Sequence, residues 1–389
     1  MTSPESRVGD RVEVTVGPIA HGGHFVARVE GQVIFIRHAL PGERVVVQVT
    51  EVGKFLRGDA VEILEASPHR VAAPCPLAHP DGCGGCDFQH VSLDEQRALK
   101  AFVVREQLAR LAGLDRDVLV EPVPGDDNGL RWRTRMQYVG LPRGPQGRRR
   151  GLRKYRSHEV IEVDDCLIAR KDARVARRPE AVAPVATADV VSGGATIVEH
   201  VETTSGNHDF ELAEDGFWQV HPGAPTALVE AVLAMLQPRP GEQVLDLYSG
   251  VGLFSAFLAK AVGEDGKVFA VESDPMAAAY ADANLADFAW ASAVTGRVDR
   301  MLASWQGAST DLVVLDPPRS GAKKQVVDPI AAMGPRAIAY VACDPAALAR
   351  DIAYFAKVGY ELADLRAFDL FPMTHHVECV ALLVPAQNV

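Results

Sequence analysis

Four runs in the second half of the chain, Gln243–Leu247, Val268–Glu272, Asp311–Asp316 and Ala337–Ala342, are apolar almost without a break. A strand with one wet face shows a polar–apolar alternation. Runs without that alternation must be buried on both faces, as parallel strands covered by helices are. Segments of helical character, such as Pro275–Phe288, fall between the runs. From Ala227 onward the chain is therefore predicted to be a doubly wound α/β domain, with ligands expected at the carboxyl ends of its strands.

The amino-terminal part has a different texture. Val12–Val16, Gln32–Ile36 and Arg44–Val49 alternate like half-buried strands, and His21-Gly22-Gly23 and Pro41-Gly42 are turn signals between them. Several short strands in this space predict a small β-barrel of the oligonucleotide-binding kind, a fold that either binds nucleic acid or is purely structural. A helix is expected around Leu93–Leu111 and a strand-rich region from 117 to about 205, within which Ala173–Ser192 has no readable pattern. The expected division is a barrel over 1–68, a central domain over 69–205 and the α/β domain over 206–389. Met1–Arg11 is polar, without the apolar core of a signal peptide, and no apolar run is long enough to span a membrane. A cytoplasmic chain is expected, with no membrane partner and no obligate protein partner.

The net charge of −11 argues mildly against nucleic acid as a partner. Its distribution argues the other way. Asn128–His158 contains no Asp or Glu, yet Arg131, Arg133, Arg135, Arg143, Arg148, Arg149, Arg150, Arg153, Lys154 and Arg156 all fall there. Such a run is either a solvated charged loop or a local phosphate-binding surface.

Four motifs carry candidate chemistry. Val244–Phe254 reads as a strand, a Gly250-x-Gly252 turn and a helix, letting backbone approach a ligand closely. The third glycine of a dinucleotide fingerprint is missing, and Asp246 just before the turn suits a methyl-donor pocket better than NAD. Glu272, ending the next strand, is placed to accept both hydroxyls of a ribose. Asp299 is placed either to reach an adenine edge or to cap a helix before Met301. Asp316-Pro317-Pro318-Arg319 sets a carboxylate on stiffened backbone at a buried strand end. Cys343 ends another such strand, where a buried small hydrophobe or an accessible nucleophile is expected. Glu378, opening the apolar run Cys379–Val384, is a candidate general base. Strand alternation turns Cys379 to the opposite face, and adjacent His375 and His376 point apart, which disfavours a metal pair.

Cys75, Cys83, Cys86 and Cys166 form a further group. Clustered thiolates in a chain of this size fit zinc or an iron–sulfur cluster, and base rates slightly favour zinc. Cys83-Gly-Gly-Cys86 lacks the βαβ context of a redox pair.

Taken in order, these motifs resemble those of the TRAM-domain RNA (uracil-5)-methyltransferases, most closely the iron–sulfur type that forms 5-methyluridine in large-subunit ribosomal RNA. The likeness covers nearly the whole chain. Ala20-His-Gly-Gly23 and Phe35–Gly42 resemble the TRAM barrel, and Cys83–His90 and Gly151–Cys166 the cluster region. Gln219-Val-His221, Asp246–Gly252, Asp316–Arg319, Cys343-Asp-Pro345 and His376-Val-Glu378 follow in the family's order. The resemblance implies a class I methyltransferase domain of Rossmann-like fold, S-adenosyl-L-methionine as donor, and a [4Fe–4S] cluster on Cys75, Cys83, Cys86 and Cys166. It implies donor contacts from Gln219, Tyr248, Glu272 and Asp316, beside the Gly250 and Asp299 of the motif reading, with Cys343 as nucleophile and Glu378 as proton acceptor. Ribosomal RNA is the favoured partner and transfer RNA the alternative. Leu253 and Asp344 depart from the family, which usually has Asn at both places. The short stretch between Cys166 and Gln219 implies a trimmed middle region.

Overall fold

A computed structural model describes residues 7–144, 147–175, 195–305 and 307–386, with the side chains of 143–148 outside the description. Most of the unassigned stretch Ala173–Ser192 lies outside the described residues.

The first strands are β1 (Arg11–Thr15), β2 (Ile19–Ala20), β3 (His24–Val29), β4 (Gln32–Arg37), β5 (Arg44–Glu51) and β6 (Leu56–Glu65). They form one six-stranded sheet in the order β1-β5-β6-β4-β3-β2, antiparallel except for β4 with β6. The chain between β1 and β2 bonds back to β3, with Gly17 N donating to Val26 O and Val26 N to Pro18 O. A Cβ at Gly17 would stand 2.6 Å from that Val26 oxygen, so the approach needs glycine. Alternation does the rest: Phe25, Ala27, Ile34, Ile36, Val45, Val47 and Val49 all turn into one core. The α-helix α1 (Leu93–Gln107) adds Leu99 and Val103 to that core, and Phe88 joins it from the preceding segment. β6 escaped the sequence pattern because Arg57-Gly58-Asp59 reads as a turn; there Gly58 lets Gln48 of β5 pass within 2.7 Å of where a Cβ would be.

The middle of the chain holds β7 (Val120–Pro122), β8 (Arg133–Met136), β9 (Val139–Gly144), β10 (Gly147–Arg153), β11 (Val160–Glu162) and β12 (Ala169–Val175). β9, β10 and β11 make an antiparallel three-stranded sheet, and β8 pairs with β12 in parallel.

The remaining elements are the hairpin β13 (Thr196–Thr203) and β14 (Gly206–Ala213), then α2 (Ala224–Leu236), β15 (Gln243–Leu247), α3 (Leu253–Val262), β16 (Lys267–Glu272), α4 (Pro275–Asn284), β17 (Ala291–Thr295) and α5 (Val298–Ser304). β18 (Leu312–Leu315), α6 (Lys324–Ala332), β19 (Ala337–Ala342), α7 (Pro345–Lys357), β20 (Tyr360–Asp369) and β21 (Glu378–Pro385) complete the chain. Their sheet has the order β17-β16-β15-β18-β19-β21-β20-β7. The first five strands are parallel, and β21 runs antiparallel to both neighbours. All four apolar runs of the sequence are strands of this sheet, and β18 and β19 are buried along their whole length. Order reverses at β15, which lies between β16 and β18, so the crevice for a ligand opens at its carboxyl end.

By compactness the chain divides into two units with interleaved segments. The first comprises Met1–Glu106, Asp126–Val175 and Asp369–Val377; the second comprises Gln107–Gly125, Ala176–Phe368 and Glu378–Val389. Within the first unit the Asp369–Val377 segment is fastened to α1. Lys100 Nζ donates to Asp369 Oδ1 at 2.5 Å and to Phe371 O at 3.0 Å, with both charged side chains buried. Gln96 Oε1 accepts from Met373 N at 2.8 Å. No helix among the described residues is long and apolar enough to cross a membrane.

Removing one partner of a buried ion pair leaves the other charge without compensation, at a cost of about 3–5 kcal/mol. Lys100→Ala is therefore expected to lower the urea midpoint of the first unit's unfolding. A Lys100→Met, Asp369→Asn double variant should recover much of the loss. A wild-type melt for Lys100→Ala would show that the pair does not hold the segment.

Candidate active site

The five neighbouring strands β16, β15, β18, β19 and β21 each deliver a candidate group to the same edge of the sheet. Glu272 ends β16, Asp246 lies in β15 with Tyr248 and Gly250 just beyond it, and Asp316 follows β18. Cys343 follows β19, and Glu378 opens β21, whose amino end lies on this edge because the strand is reversed. At about 4.8 Å per strand, β16 and β19 are about 14 Å apart. The edge thus presents a carboxylate at one end and a thiol at the other.

The turn after β15 is tightly bent. Tyr248, Gly250 and Gly252 have φ of 63°, 55° and 90°. For tyrosine this left-handed backbone costs roughly 1–2 kcal/mol, which the turn has to offset. Glu272 holds it from the next strand: Oε2 accepts from Gly250 N at 3.0 Å, and Oε1 from Asp274 N at 2.8 Å and Ser273 Oγ at 3.1 Å. Asp246 is almost fully buried and accepts from Ser255 Oγ at 2.5 Å through Oδ2. Its Oδ1 and the hydroxyl of Ser249 are buried without a hydrogen-bond partner among the described residues. Orphaned polar atoms beside a glycine turn at a switch point are what a polar ligand would satisfy. Ser249 and Ser255 were not singled out from the sequence, since serine in a turn or a helix carries no distinguishing pattern.

Burial governs the charges. Desolvation raises Asp246 to about 7; it does the same to Asp316, where Asp246 and Glu272 add to the effect. Glu378 is pushed well above the usual carboxylate range, by burial first and Asp316 second, with Arg319 opposing. The Cys343 thiol is raised to about 11 by burial, then by Glu378 and Asp316, with Arg319 again opposing. Arg319 is thus a cation that both groups feel, a role the sequence reading did not give it.

The β-ladder explains why Cys343 and Glu378 meet. β19 pairs with β21 up to Ala342 opposite Cys379. One step further on this register sets Cys343 opposite Glu378, on one face of the sheet. Cys379 is fully buried on the other face.

The loop after Asp316 is locked from behind. Buried Asp351 of α7 accepts from Ala322 N at 2.7 Å, Lys323 N at 3.1 Å and Tyr340 Oη at 2.7 Å. Gly321, at φ 75°, has no room for a Cβ against Arg350 and Asp351. Asp344 caps α7, accepting from Ala347 N at 2.8 Å, a task Asp and Asn perform about equally. Leu253 begins α3 and is buried.

Two expectations need correction. Asp299 is not a helix cap: Arg297 holds the cap position of α5, and Asp299 in its first turn accepts from Arg297 at 3.1 and 2.8 Å. Gln219 lies half-buried in the loop after β14, beside buried Trp218. The basic run is not a loop, because Arg149, Arg150 and Arg153 lie on β10, folded against the acid-rich stretch Glu159–Asp165. Arg149 pairs with Glu162 at 2.5 Å and Arg131 with Asp165 at 2.7 and 2.5 Å. Arg150 lies 4.3 Å from the Tyr138 ring centroid. These contacts favour the solvated-face reading; the side chains of Arg143 and Arg148 lie outside the description.

For the cysteines, zinc is the second open reading. Among the described residues, no group of three or more His, Cys, Asp or Glu could hold a metal ion. A tetrahedral zinc at about 2.3 Å from sulfur needs thiolates about 3.8 Å apart, so no zinc site stands preformed. The four thiols are nonetheless neighbours: Cys83 lies within electrostatic reach of Cys166 and Cys75, and Cys86 of Cys166 and Cys83. Their sulfurs also attract N–H donors, Gly85 N to Cys83 at 3.4 Å and Gln89 Nε2 to Cys86 at 3.5 Å. This donor set suits a soft metal group, but nothing beyond that nearness supports an iron–sulfur cluster. His375 is engaged otherwise, its Nδ1 lying 2.6 Å from Asp87 Oδ2.

A thiol and buried carboxylates along one strand edge of an α/β domain are suited to group transfer. Comparisons name the group. Residues 5–61 match the TRAM domain and residues 186–386 the tRNA (Uracil-5-)-methyltransferase family. An uncharacterized RNA methyltransferase of Streptomyces avermitilis is 45% identical over 437 residues, spanning 97% of this chain and 99% of its own. Another, from Bifidobacterium longum, is 37% identical, spanning 96% of each chain. Both alignments are longer than this chain, so these relatives carry segments that it lacks. The crystal structure of a Pyrococcus abyssi tRNA (uracil-54, C5)-methyltransferase with S-adenosyl-L-homocysteine has the same fold, with a TM-score of 0.68 at 23% identity over 96% of this chain and 100% of that one. The chain belongs to the RNA (uracil-5)-methyltransferase family. It is an RNA methyltransferase.

Peptide-resolved alkylation of the pure protein by iodoacetamide checks the thiol. Cys343 should be slow at neutral pH and rise with a midpoint near 11. Glu378→Gln removes a carboxylate that disfavours the thiolate, so the midpoint should fall. A midpoint below 8 in the wild type would contradict a thiol buried among carboxyl groups.

Proposed function

We propose that the chain methylates carbon 5 of a uridine in RNA through a covalent adduct of Cys343, with Glu378 as the base that ends the reaction. The observation that carries this reading is the β19–β21 register, which sets the two residues opposite each other beside Asp316. Carbon 5 of uracil is a poor nucleophile. Addition of the Cys343 thiolate to carbon 6 sends an electron pair to an enolate, and carbon 5 then takes the methyl group as the sulfonium leaves as thioether. Carbon 5 now bears both hydrogen and methyl. Glu378 takes that proton, the double bond re-forms and the thiolate is expelled. Both groups must reach the base, so it has to leave any helix.

Gln219, Tyr248, Gly250, Glu272, Asp299 and Asp316 are the proposed donor contacts, and Asp299 would have to exchange its pairing with Arg297. A sulfonium entering among buried carboxyl groups favours their charged forms, which prepares Glu378 for proton removal.

Ribosomal RNA is the favoured substrate on the conjunction of the barrel with four cysteines. Transfer RNA is favoured by the name of the family and by the archaeal enzyme of the same fold. Incubation with each RNA and labelled donor, followed by nucleoside mass spectrometry, decides between them. In the same assay Cys343→Ala should form no RNA-linked protein. Glu378→Gln should add and methylate but stall, leaving a labelled protein–RNA band on a denaturing gel. Normal turnover by Glu378→Gln would assign proton removal to another group.

Cys75, Cys83, Cys86 and Cys166 are proposed to hold a [4Fe–4S] cluster, which would tie distant segments of the first unit together. Purification without oxygen is then expected to give brown protein with about four irons per chain. Stoichiometric zinc without iron would exclude it.

A further inference from the structure

The hairpin of β13 and β14 is a two-stranded sheet, so the outer edge of β14 has no strand beside it among the described residues. Backbone N–H and C=O groups along such an edge have to be satisfied in another way. At Glu211 one side chain does this. Asn284 Oδ1 accepts from Glu211 N at 2.9 Å, and Asn284 Nδ2 donates to Glu211 O at 3.0 Å, as a neighbouring strand would. The same Nδ2 also donates to Val251 O at 3.0 Å. Asn284 is buried, and its own carbonyl accepts from His208 Nε2 of β14 at 3.0 Å.

These bonds need an amide, which carries an acceptor and two donors on one short side chain; a carboxylate has no donor to give. Asparagine is poorly suited to a helix interior, and its place in the last turn of α4 is explained by what it bonds there. Both backbones that it joins lead to the proposed donor contacts. Val251 stands between Gly250 and Gly252 in the left-handed turn after β15. α4 backs that turn a second time through Ala281, which lies 3.5 Å from where a Cβ on Gly252 would be. Glu211 follows Phe210, whose ring meets that of Trp218 with centroids 5.5 Å apart, and Gln219 comes directly after Trp218. Glu272 therefore holds the turn at Gly250, and Asn284 holds it at Val251.

We infer that Asn284 is a positioning residue of the donor site, holding the Gly250–Gly252 turn and the strand that leads to Gln219 in one fixed relation. The inference rests on the donor contacts proposed above and adds the residue that couples two of them. Asn284 acts through backbone alone and needs no contact with the donor. Without its amide, the Val251 carbonyl and both backbone groups of Glu211 lose their partners. The turn, already unfavourable at its left-handed residues, then has one restraint fewer. A ligand that has to meet Gly250 and Gln219 together would first have to bring the two segments back into register, and that ordering is subtracted from its affinity.

The test titrates the full chain with S-adenosyl-L-homocysteine by calorimetry, beside a thermal melt of each variant. Asn284→Ala should weaken binding about tenfold or more. Asn284→Asp keeps the acceptor for Glu211 N, but its ionised form has no hydrogen for Val251 O, whereas its protonated form has one. Relative to wild type, its affinity should therefore recover in part as the pH falls, and that of Asn284→Ala should not. Thr226→Val controls for general loosening, because Thr226 Oγ1 donates to Glu202 O of the same hairpin at 2.7 Å. It should melt earlier and bind S-adenosyl-L-homocysteine as wild type does. In the wild type the ligand should slow hydrogen exchange around Glu211 as well as around Val251, which carries the test if the Asn284 variants do not fold. Undiminished affinity in Asn284→Ala, an equal loss in Thr226→Val, or an Asn284→Asp affinity that ignores pH would overturn the inference. So would protection confined to the Val251 peptide. Failure of the donor reading is seen separately, as wild-type chain that binds no S-adenosyl-L-homocysteine at all, and the inference falls with it.

Discussion

The insertion of β21, antiparallel, between β19 and β20 is the constraint on which the proposed chemistry depends. A wholly parallel sheet would bring only strand carboxyl ends to the catalytic edge. Reversal of one strand brings its amino end there instead, and Glu378 is the first residue of that strand. Because side chains alternate, a slip of one residue would bury Glu378 on the far face and present Cys379 in its place. Pairing of β21 on both sides, with β19 and β20, holds it against such a slip.

The same burial that fixes the register sets the electrostatics. Asp246, Asp316 and Glu378 are withdrawn from water with few cations near them, so each holds its proton more tightly than an exposed carboxyl does. In isolation that arrangement is unfavourable for charge. It becomes favourable when a cationic donor enters, and Arg319, on a loop braced by Asp351 and Tyr340, supplies part of the offset beforehand. Strain in the turn at Tyr248 belongs to the same pattern: the second unit stores unfavourable terms where a ligand would relieve them.

Surface charge is distributed differently from what the linear sequence suggests. The acid-free run Asn128–His158 looks like a cationic surface, but β10 folds against β11, and Glu159, Glu162 and Asp165 supply the missing acids. Exposed pairs of this kind contribute little to stability and reduce the field that phosphate would feel. On the barrel, by contrast, single cations scattered through the sequence gather beside outward-facing rings.

By itself the sequence determined the α/β domain, three of the six barrel strands and the candidates for the reactive groups. Unbroken apolar runs admit only double-sided burial, and Asp316-Pro-Pro, Cys343 and Glu378 sit at the ends of such runs, where side chains must emerge. Even the opposite facing of Cys379 followed from strand alternation. Tertiary structure alone decided which strand neighbours which, and hence that Cys343 lies near Glu378 and that Asp351 braces the loop after Asp316. It also decided the interleaving of the two units, in which Asp369–Val377 packs with α1 through Lys100. Periodicity reports whether a residue is buried, because burial is a local average over one element. It does not report the partner, because pairing depends on chain reversals far away in sequence.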